Sequence, residues 1–109
     1  MKAYRFSLAL FVSTLLIAFA SLSAVAADSS LAANPVFQKN CAKCHGKTGE
    51  GRHFAGPSLI SDKIRGASEN DLGQAISNGK GRMPKFGDKL TPEEITTLVE
   101  QIKAANNNK

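Results

Sequence analysis

The sequence is poor in the residues that bind metals or cross-link small exported domains. Its 109 residues include two cysteines, two histidines, two methionines and one tyrosine, and there is no tryptophan. Two cysteines can form one disulfide at most, which excludes a framework of several disulfides. No internal repeat or shift in composition marks a second domain, so the sequence predicts one small domain. The possible side-chain ligands for a soft metal or cofactor are therefore few: two cysteines, two histidines and two methionines.

The first 27 residues have the pattern of an export signal. Lys2 and Arg5 are basic, residues 8–20 are almost entirely apolar, and residues 24–26 (AVA) match a small-x-small cleavage site. We expect cleavage after Ala26 or Ala27, two bonds that the sequence does not distinguish, so the cleaved chain begins at Ala27 or Asp28. The predicted domain is residues 28–109. The alternative is an uncleaved membrane anchor, because residues 8–27 are long enough for a short span. Either way, the remainder of the chain is exported.

The clearest motif is C-x-x-C-H, formed by Cys41, Cys44 and His45. It is the attachment signature of c-type haem. Side chains three positions apart on a helical turn point to the same side, so both thiols can form thioether bonds to the vinyl groups of one haem. His45 then becomes an axial ligand of the iron.

The motif alone leaves three other uses of paired cysteines open. Zinc needs about four ligands, and Cys41, Cys44, His45 and His53 supply that number. A thioredoxin-like redox pair needs a βαβ context, which the surrounding sequence does not show. Export favours a disulfide, but a histidine directly after the second cysteine favours haem.

A second axial ligand is expected from Met83, the only methionine left after cleavage. Pro84 restricts the backbone of Met83 and stiffens its loop, which helps to hold a weak thioether ligand. The alternative use of this methionine is simple packing in the core. His53 is the rival ligand, but it follows His45 by only eight residues, and an exposed loop histidine is the simpler interpretation.

Capping residues predict three main helices, and the fold class is all-α. Asn34 is expected to cap a first helix that ends at the C-x-x-C-H motif. Ser68 is expected to begin a second helix, which Gly79 ends. Thr91 begins the last, with Glu94 completing a capping box.

The segments between these helices are expected to be mostly irregular. Residues 46–57 and 80–90 are rich in glycine and proline, which is typical of loops. A short helical turn is expected within residues 59–64. Residues 29–34 are interpreted as a polar leader, and residues 106–109 as a frayed tail. A domain this small has a weak core, so we expect the haem-free chain to be poorly folded.

The order and spacing of the motifs resemble those of the class I c-type cytochromes, small monohaem electron carriers. The resemblance covers nearly all of residues 34–104 and rests on four segments: C-x-x-C-H at 41–45, Gly56-Pro57-Ser58-Leu59, Ile76-Ser77-Asn78-Gly79, and Met83-Pro84. It implies a fold of about three helices around one covalently bound haem c.

The resemblance also implies specific contacts. The carbonyl of Pro57 should accept a hydrogen bond from the His45 ring, which fixes the imidazole tautomer. Phe37 on the first helix should pack against the last helix at Ile95, Leu98 and Val99, in a near-perpendicular contact. The family often has tyrosine or tryptophan near the haem propionates, and the cleaved chain has neither.

Positive charge is concentrated around the two predicted ligand segments. The signal holds two of the 14 basic residues and no acidic one, so cleavage lowers the net charge from +5 to +3. Eight basic residues lie in or beside the ligand segments, and the only acidic residues there are Glu50 and Asp88. These eight residues are called the basic rim: Lys39, Lys43, Lys47, Arg52, Lys80, Arg82, Lys85 and Lys89. Such a rim is expected to steer the protein to an acidic redox partner. An ordinary solvated surface is the alternative.

The resemblance implies a carrier of single electrons between exported or membrane redox partners, in the periplasm or an equivalent compartment such as a thylakoid lumen. No small-molecule substrate is expected, and contact with membranes is expected only through partner complexes. A haem peroxidase or gas-binding protein is the enzymatic rival, and ligation by Met83 would block its open iron site. Nucleic acid is a poor partner for an exported haem protein.

Overall fold

The computed structural model describes residues 29–108 and contains five α-helices. After a 3₁₀ turn at Leu31–Ala33 come α1 (Pro35–Asn40), α2 (Ala42–His45), α3 (Asp62–Gly66), α4 (Glu69–Asn78) and α5 (Pro92–Asn107). Pairing of extended backbone in this part of the chain is limited to two isolated bridges, Arg52 with Gly56 and Lys80 with Met83. The all-α prediction is confirmed. The predicted signal, residues 1–27, lies outside the described residues.

The three main helices begin at the predicted capping residues. The Asn34 side chain accepts hydrogen bonds from the first turn of α1, and the Ser68 hydroxyl accepts one from the first turn of α4. At α5, Thr91 and Glu94 form the reciprocal capping box. The helices begin here because these side chains satisfy N–H groups that have no partner inside the helix.

One apolar core joins the helices and the loop before α5. Its members include Phe37 of α1 and Leu98 of α5, both almost fully buried. A hydrogen bond of 2.7 Å from Asn34 Nδ2 to Gln101 Oε1 also ties the start of α1 to α5. The other buried apolar residues of this cluster are Leu31, Cys41, Ala42, Leu72, Ile76, Phe86, Leu90, Ile95, Val99 and Ile102.

Near both ends of residues 29–108, a side chain packs inward that the sequence did not predict to be buried. The expected leader contains Leu31, which is only 3% exposed and belongs to the core. The expected frayed tail contains Asn106, which lies inside α5 and is only 1% exposed. The predictions of a polar leader and a frayed tail were wrong. Leu31 and Asn106 each pack into the interior, although most of their neighbours in the sequence are small or polar.

The short helix after the glycine-rich loop also begins later than expected. It is α3, and its cap is Ser61, whose hydroxyl accepts a hydrogen bond from Ile64 N. Leu59 and Ile60 precede this helix. Among residues 29–108, no helix combines the length and apolar character needed to cross a membrane.

Candidate functional site

Cys41 lies at the junction between α1 and α2. Its N–H donates to Phe37 O at 2.8 Å, and its own carbonyl accepts from His45 N at 2.9 Å. The helical hydrogen bonds therefore continue through the junction, although Cys41 itself departs from ideal helix dihedrals. This local geometry places Cys41, Cys44 and His45 within about one turn of each other.

The two cysteines are free thiols rather than a disulfide. Cys41 is buried, and Cys44 is partly buried. Burial, together with the neighbouring Cys44, raises the pKa of Cys41 to about 11. The thiol is therefore neutral at pH 7. The buried position of Cys41 is compatible with a thioether sulfur, which carries no charge.

His45 is held in one orientation by the loop that follows it. Its Nδ1 lies 2.8 Å from the carbonyl oxygen of Pro57. A carbonyl oxygen can only accept, so Nδ1 carries the hydrogen and Nε2 keeps its lone pair. The hydrogen bond that the resemblance implied is present, and it leaves Nε2 available to bind a metal.

Gly56 has a role in this site that its place in the Gly56-Pro57-Ser58-Leu59 segment does not predict. A Cβ atom there would lie 2.8 Å from Cys44 O and 3.2 Å from His45 Nδ1. Both distances are shorter than ordinary van der Waals contacts, so the loop can approach α2 only with glycine at this position. The signal was available in Gly56-Pro57, but the need for glycine depends on a contact that only the fold reveals.

Met83 lies on the loop between α4 and α5, where it is partly buried against the core. The loop is closed by Met83 N donating to Lys80 O at 3.0 Å and by the reverse bond at 3.3 Å. Gly79 makes this turn possible with a φ of 74°. The methionine is therefore on a constrained turn, as the position of Pro84 predicts.

The two predicted ligand segments border one cavity of about 580 Å³. Residues 50–58, including Pro57, line one part of it, and Arg82 contributes from the loop of Met83. It is a shallow depression that is largely open to solvent. Within the described chain, the lining does not include the cysteines, His45 or Met83, so the cavity lies beside these groups.

His53 does not join the cysteines. Its side chain is exposed and lies against Phe54, with ring centroids 4.2 Å apart. Among residues 29–108, no group of three or more histidine, cysteine, aspartate or glutamate side chains is placed to hold a metal ion. The four-ligand zinc site considered from the sequence is therefore not formed.

All eight cations of the basic rim are exposed. The one ion pair in the described part of the chain, Arg65 with Asp62, lies outside the rim. The Glu50 carboxylate faces its own loop: hydrogen bonds from the Thr48 hydroxyl and backbone N–H lower the pKa of Glu50. The rim charges are therefore not neutralised by direct ion pairs.

These groups fit a covalently attached haem. Cys41 and Cys44 offer two free sulfurs at the required spacing, and His45 offers a neutral Nε2 whose tautomer is fixed by Pro57. Met83 offers a soft neutral sulfur from a separate constrained loop. A thioether and an imidazole are the axial pair of the cytochromes c.

Comparison with known proteins gives the same cofactor. The cbb3-type cytochrome c oxidase subunit FixP of Azorhizobium caulinodans is 37% identical over 88 residues, which cover 75% of this chain and 30% of that protein. Chloroplastic cytochrome c6 of Chlamydomonas reinhardtii is 37% identical over 96 residues, covering 82% and 62% respectively. This chain therefore spans less than two thirds of either relative.

The crystal structure of cytochrome c6C from Synechococcus sp. PCC 7002 has a similar fold. The TM-score is 0.58 at 27% identity, and the match covers 68% of this chain and 93% of that one. A protein-family profile described as "Cytochrome C oxidase, cbb3-type, subunit III" matches residues 31–102. Because this match spans more than half of the sequence, the chain belongs to that family and is a c-type cytochrome whose cofactor is covalently bound haem c.

Proposed function

We propose that this protein carries single electrons between redox proteins, with its haem attached to Cys41 and Cys44 and its iron held by His45 and Met83. The observation that carries the proposal is the 2.8 Å contact from His45 Nδ1 to Pro57 O. It leaves the other ring nitrogen available to bind a metal, and a hydrogen-bonded imidazole is a better donor to the iron. Pro57 therefore acts on the iron through His45.

The haem, when bound, supplies a one-electron Fe(III)/Fe(II) couple. The chain's own residues set the conditions under which that couple works. Met83 would occupy the remaining axial position from a loop that the Lys80–Met83 turn constrains. A filled axial position favours electron transfer over the binding of gases or peroxide, so we infer a carrier rather than an enzyme.

The basic rim favours an acidic redox partner. Exposed charges of one sign raise the rate of encounter with a surface of the opposite sign. We infer that the protein works in the periplasm or an equivalent exported compartment, because the predicted N-terminal signal would direct export and C-x-x-C-H haem attachment is consistent with it. Residues 28–109 would form the working domain, and any membrane contact would be made through partner complexes.

The haem assignment is tested on protein produced with a haem-attachment system. Denaturing electrophoresis followed by haem staining should show a band that retains haem, and the pyridine haemochrome spectrum should show two thioether bonds. Cys41→Ala should shift the haemochrome to that of a single thioether, and the double variant with Cys44→Ala should lose the stain. His53→Ala is the control and should retain both. An unstained wild-type band would contradict the proposal.

A further inference from the structure

One large hydrophobic side chain is exposed in the part of the chain that the structure describes. Phe54 is 91% exposed and lies at the tip of the turn formed by residues 52–56. Its ring meets the His53 ring edge-on at 4.2 Å. It is one of the residues that line the cavity between the two predicted ligand segments. An isolated aromatic ring at this place contributes little to the core.

The backbone at Phe54 is also unfavourable. Its φ is 61°, and among residues 29–108 it is the one non-glycine residue with a positive φ. A side chain with a Cβ atom makes this left-handed conformation costly, whereas glycine adopts it freely. Since the ring is exposed, burial does not offset the cost. A strained residue that the fold does not need indicates a role outside the fold.

Hydrogen bonds close the turn that carries Phe54. Arg52 N donates to Gly56 O at 2.9 Å, and Gly56 N and Ala55 N both donate to Arg52 O at 3.2 and 3.1 Å. The Arg52 guanidinium also donates to Lys43 O at 3.1 Å, which fastens the turn to α2. The backbone that carries the ring is therefore closed into a turn before binding, which lowers the entropy cost of ordering this loop on a partner.

The charges around Phe54 indicate what it meets. Arg52 begins the same turn, Arg82 lines the same cavity from the opposite loop, and Lys43 lies behind the turn. Protein interfaces commonly place an aromatic anchor at the centre of a charged or polar rim. The complementary surface would carry carboxylates around an apolar patch.

We propose that Phe54 is the apolar anchor of a docking surface for an acidic redox protein. The proposal rests on the proposed electron-carrier function and adds a division of roles to it. The basic rim sets the rate of encounter and its dependence on salt. The Phe54 ring sets the lifetime of the complex, because it removes apolar surface from water only after contact.

Gold electrodes with two defined monolayers test this on the haem-loaded protein. Both monolayers carry the same density of carboxylate-terminated alkanethiols. The remaining alkanethiols end in methyl groups on the first (the methyl surface) and in hydroxyl groups on the second (the hydroxyl surface). Adsorbed mass is measured with a quartz microbalance against protein concentration, and voltammetry records the haem on the same surfaces. Phe54→Gly removes the ring and suits the φ, and Ala55→Gly is the matched control in the same turn.

We expect wild type and Ala55→Gly to bind the methyl surface more tightly than the hydroxyl surface. Phe54→Gly should lose this preference, with on the order of tenfold weaker adsorption to the methyl surface. The salt dependence of adsorption should stay unchanged, because no charge is removed. Equal binding of Phe54→Gly and wild type to the methyl surface would overturn the proposal, as would the absence of a preference in wild type.

Two further measurements separate docking from other roles of the ring. Phe54→Gly should unfold in urea no earlier than wild type, since it relieves backbone strain; earlier unfolding would assign the ring to the fold and overturn the proposal. The reduction potential of Phe54→Gly in solution should match that of Ala55→Gly. A shift would assign the ring to the haem environment and would also overturn the proposal. Failure of the electron-carrier function would look different, because wild type would then adsorb without a voltammetric wave.

Discussion

The side-chain oxygen of Asn106 accepts a hydrogen bond from the backbone N–H of Ser61 at 3.0 Å, although the two residues are 45 positions apart. The Asn106 amide nitrogen donates to Leu59 O and Ile102 O, both at 2.8 Å. This side chain therefore fastens the end of α5 to the segment directly after Gly56-Pro57. That segment leads away from the carbonyl that orients His45.

Replacing Asn106 with alanine should destabilise the protein strongly. The change leaves Ser61 N–H and Leu59 O without their partner in a partly buried site, and a fully buried group left unsatisfied costs about 1–3 kcal/mol. We expect a loss of about 2–4 kcal/mol in the free energy of unfolding, measured with urea on the haem-loaded protein. Asn107→Ala is the matched control, and its exposed position predicts a change within about 0.5 kcal/mol. Equal effects of the two variants would show that the buried contacts do not matter.

Asn106 also shows where sequence reasoning fails. The caps at Asn34, Ser68 and Thr91 could be predicted because each acts on backbone two or three residues away. The partners of Asn106 in residues 59–61 are far away in the sequence, and three consecutive asparagines resemble a disordered terminus. Side chains with distant partners carry no local signal.

In the haem site too, the features with a local sequence signal could be predicted and those that depend on distant contacts could not. The C-x-x-C-H spacing is local, so it predicts the cofactor without knowledge of the fold, and the family comparison confirms haem c. The need for glycine at Gly56 arises from the packing of a loop against α2. The exposure of Phe54 and its left-handed backbone are also invisible in the sequence. The individual roles of Cys41, Cys44, His45 and Met83 stay predictions.

Gly56→Ala should disturb the site without altering any proposed ligand. The added Cβ would lie 2.8 Å from Cys44 O, so the loop must move away from α2. This movement should weaken the hydrogen bond between His45 and Pro57, which lowers the stability. It should also make His45 a weaker donor to the iron, which raises the reduction potential relative to wild type. Urea unfolding and potentiometry measure the two effects.

Gly73→Ala is the same chemical change as Gly56→Ala, but it should raise the stability of the protein. Gly73 lies inside α4, and an added Cβ would meet nothing within 4 Å. Alanine in a helix interior is favoured over glycine by roughly 0.5–1 kcal/mol, so this variant should be more stable, with an unchanged potential. A similar response of the two variants would indicate that close packing at Gly56 has no special role.

The basic rim should make electron transfer sensitive to salt. Exposed charges are screened over about 8 Å at physiological ionic strength, so the rate of reaction with an acidic redox protein should fall as salt rises. Lys43→Glu and Lys85→Glu should slow the reaction at low salt and flatten this dependence, as stopped-flow measurements would detect. Lys63→Glu makes the same charge change on α3, away from the rim. If it slows the reaction equally, net charge rather than the rim controls the encounter.

Met83→Ala tests the second axial ligand. A thioether is a soft, neutral donor that raises the reduction potential of haem iron. Its loss should remove the weak red-edge absorption band of the oxidised protein and lower the potential. The choice of axial ligands spans about 0.8 V across haem proteins, so a shift of tens to hundreds of millivolts is expected. Imidazole or carbon monoxide should then bind the iron readily.

The matched variants of Met83 and His53 decide between the two proposed ligands. Met83→His should restore a six-coordinate iron at a lower potential than wild type, because imidazole favours the ferrous state less than a thioether does. His53→Ala should leave the absorption band and the potential unchanged, since His53 is exposed beside Phe54. If His53→Ala removed the second ligand and Met83→Ala did not, the iron would be held by two histidines. The loop of residues 46–57 would then have to carry His53 to the opposite face of the haem from His45. That would require breaking the Arg52–Gly56 turn in wild type, so the Gly56 amide would exchange faster in wild type than in His53→Ala.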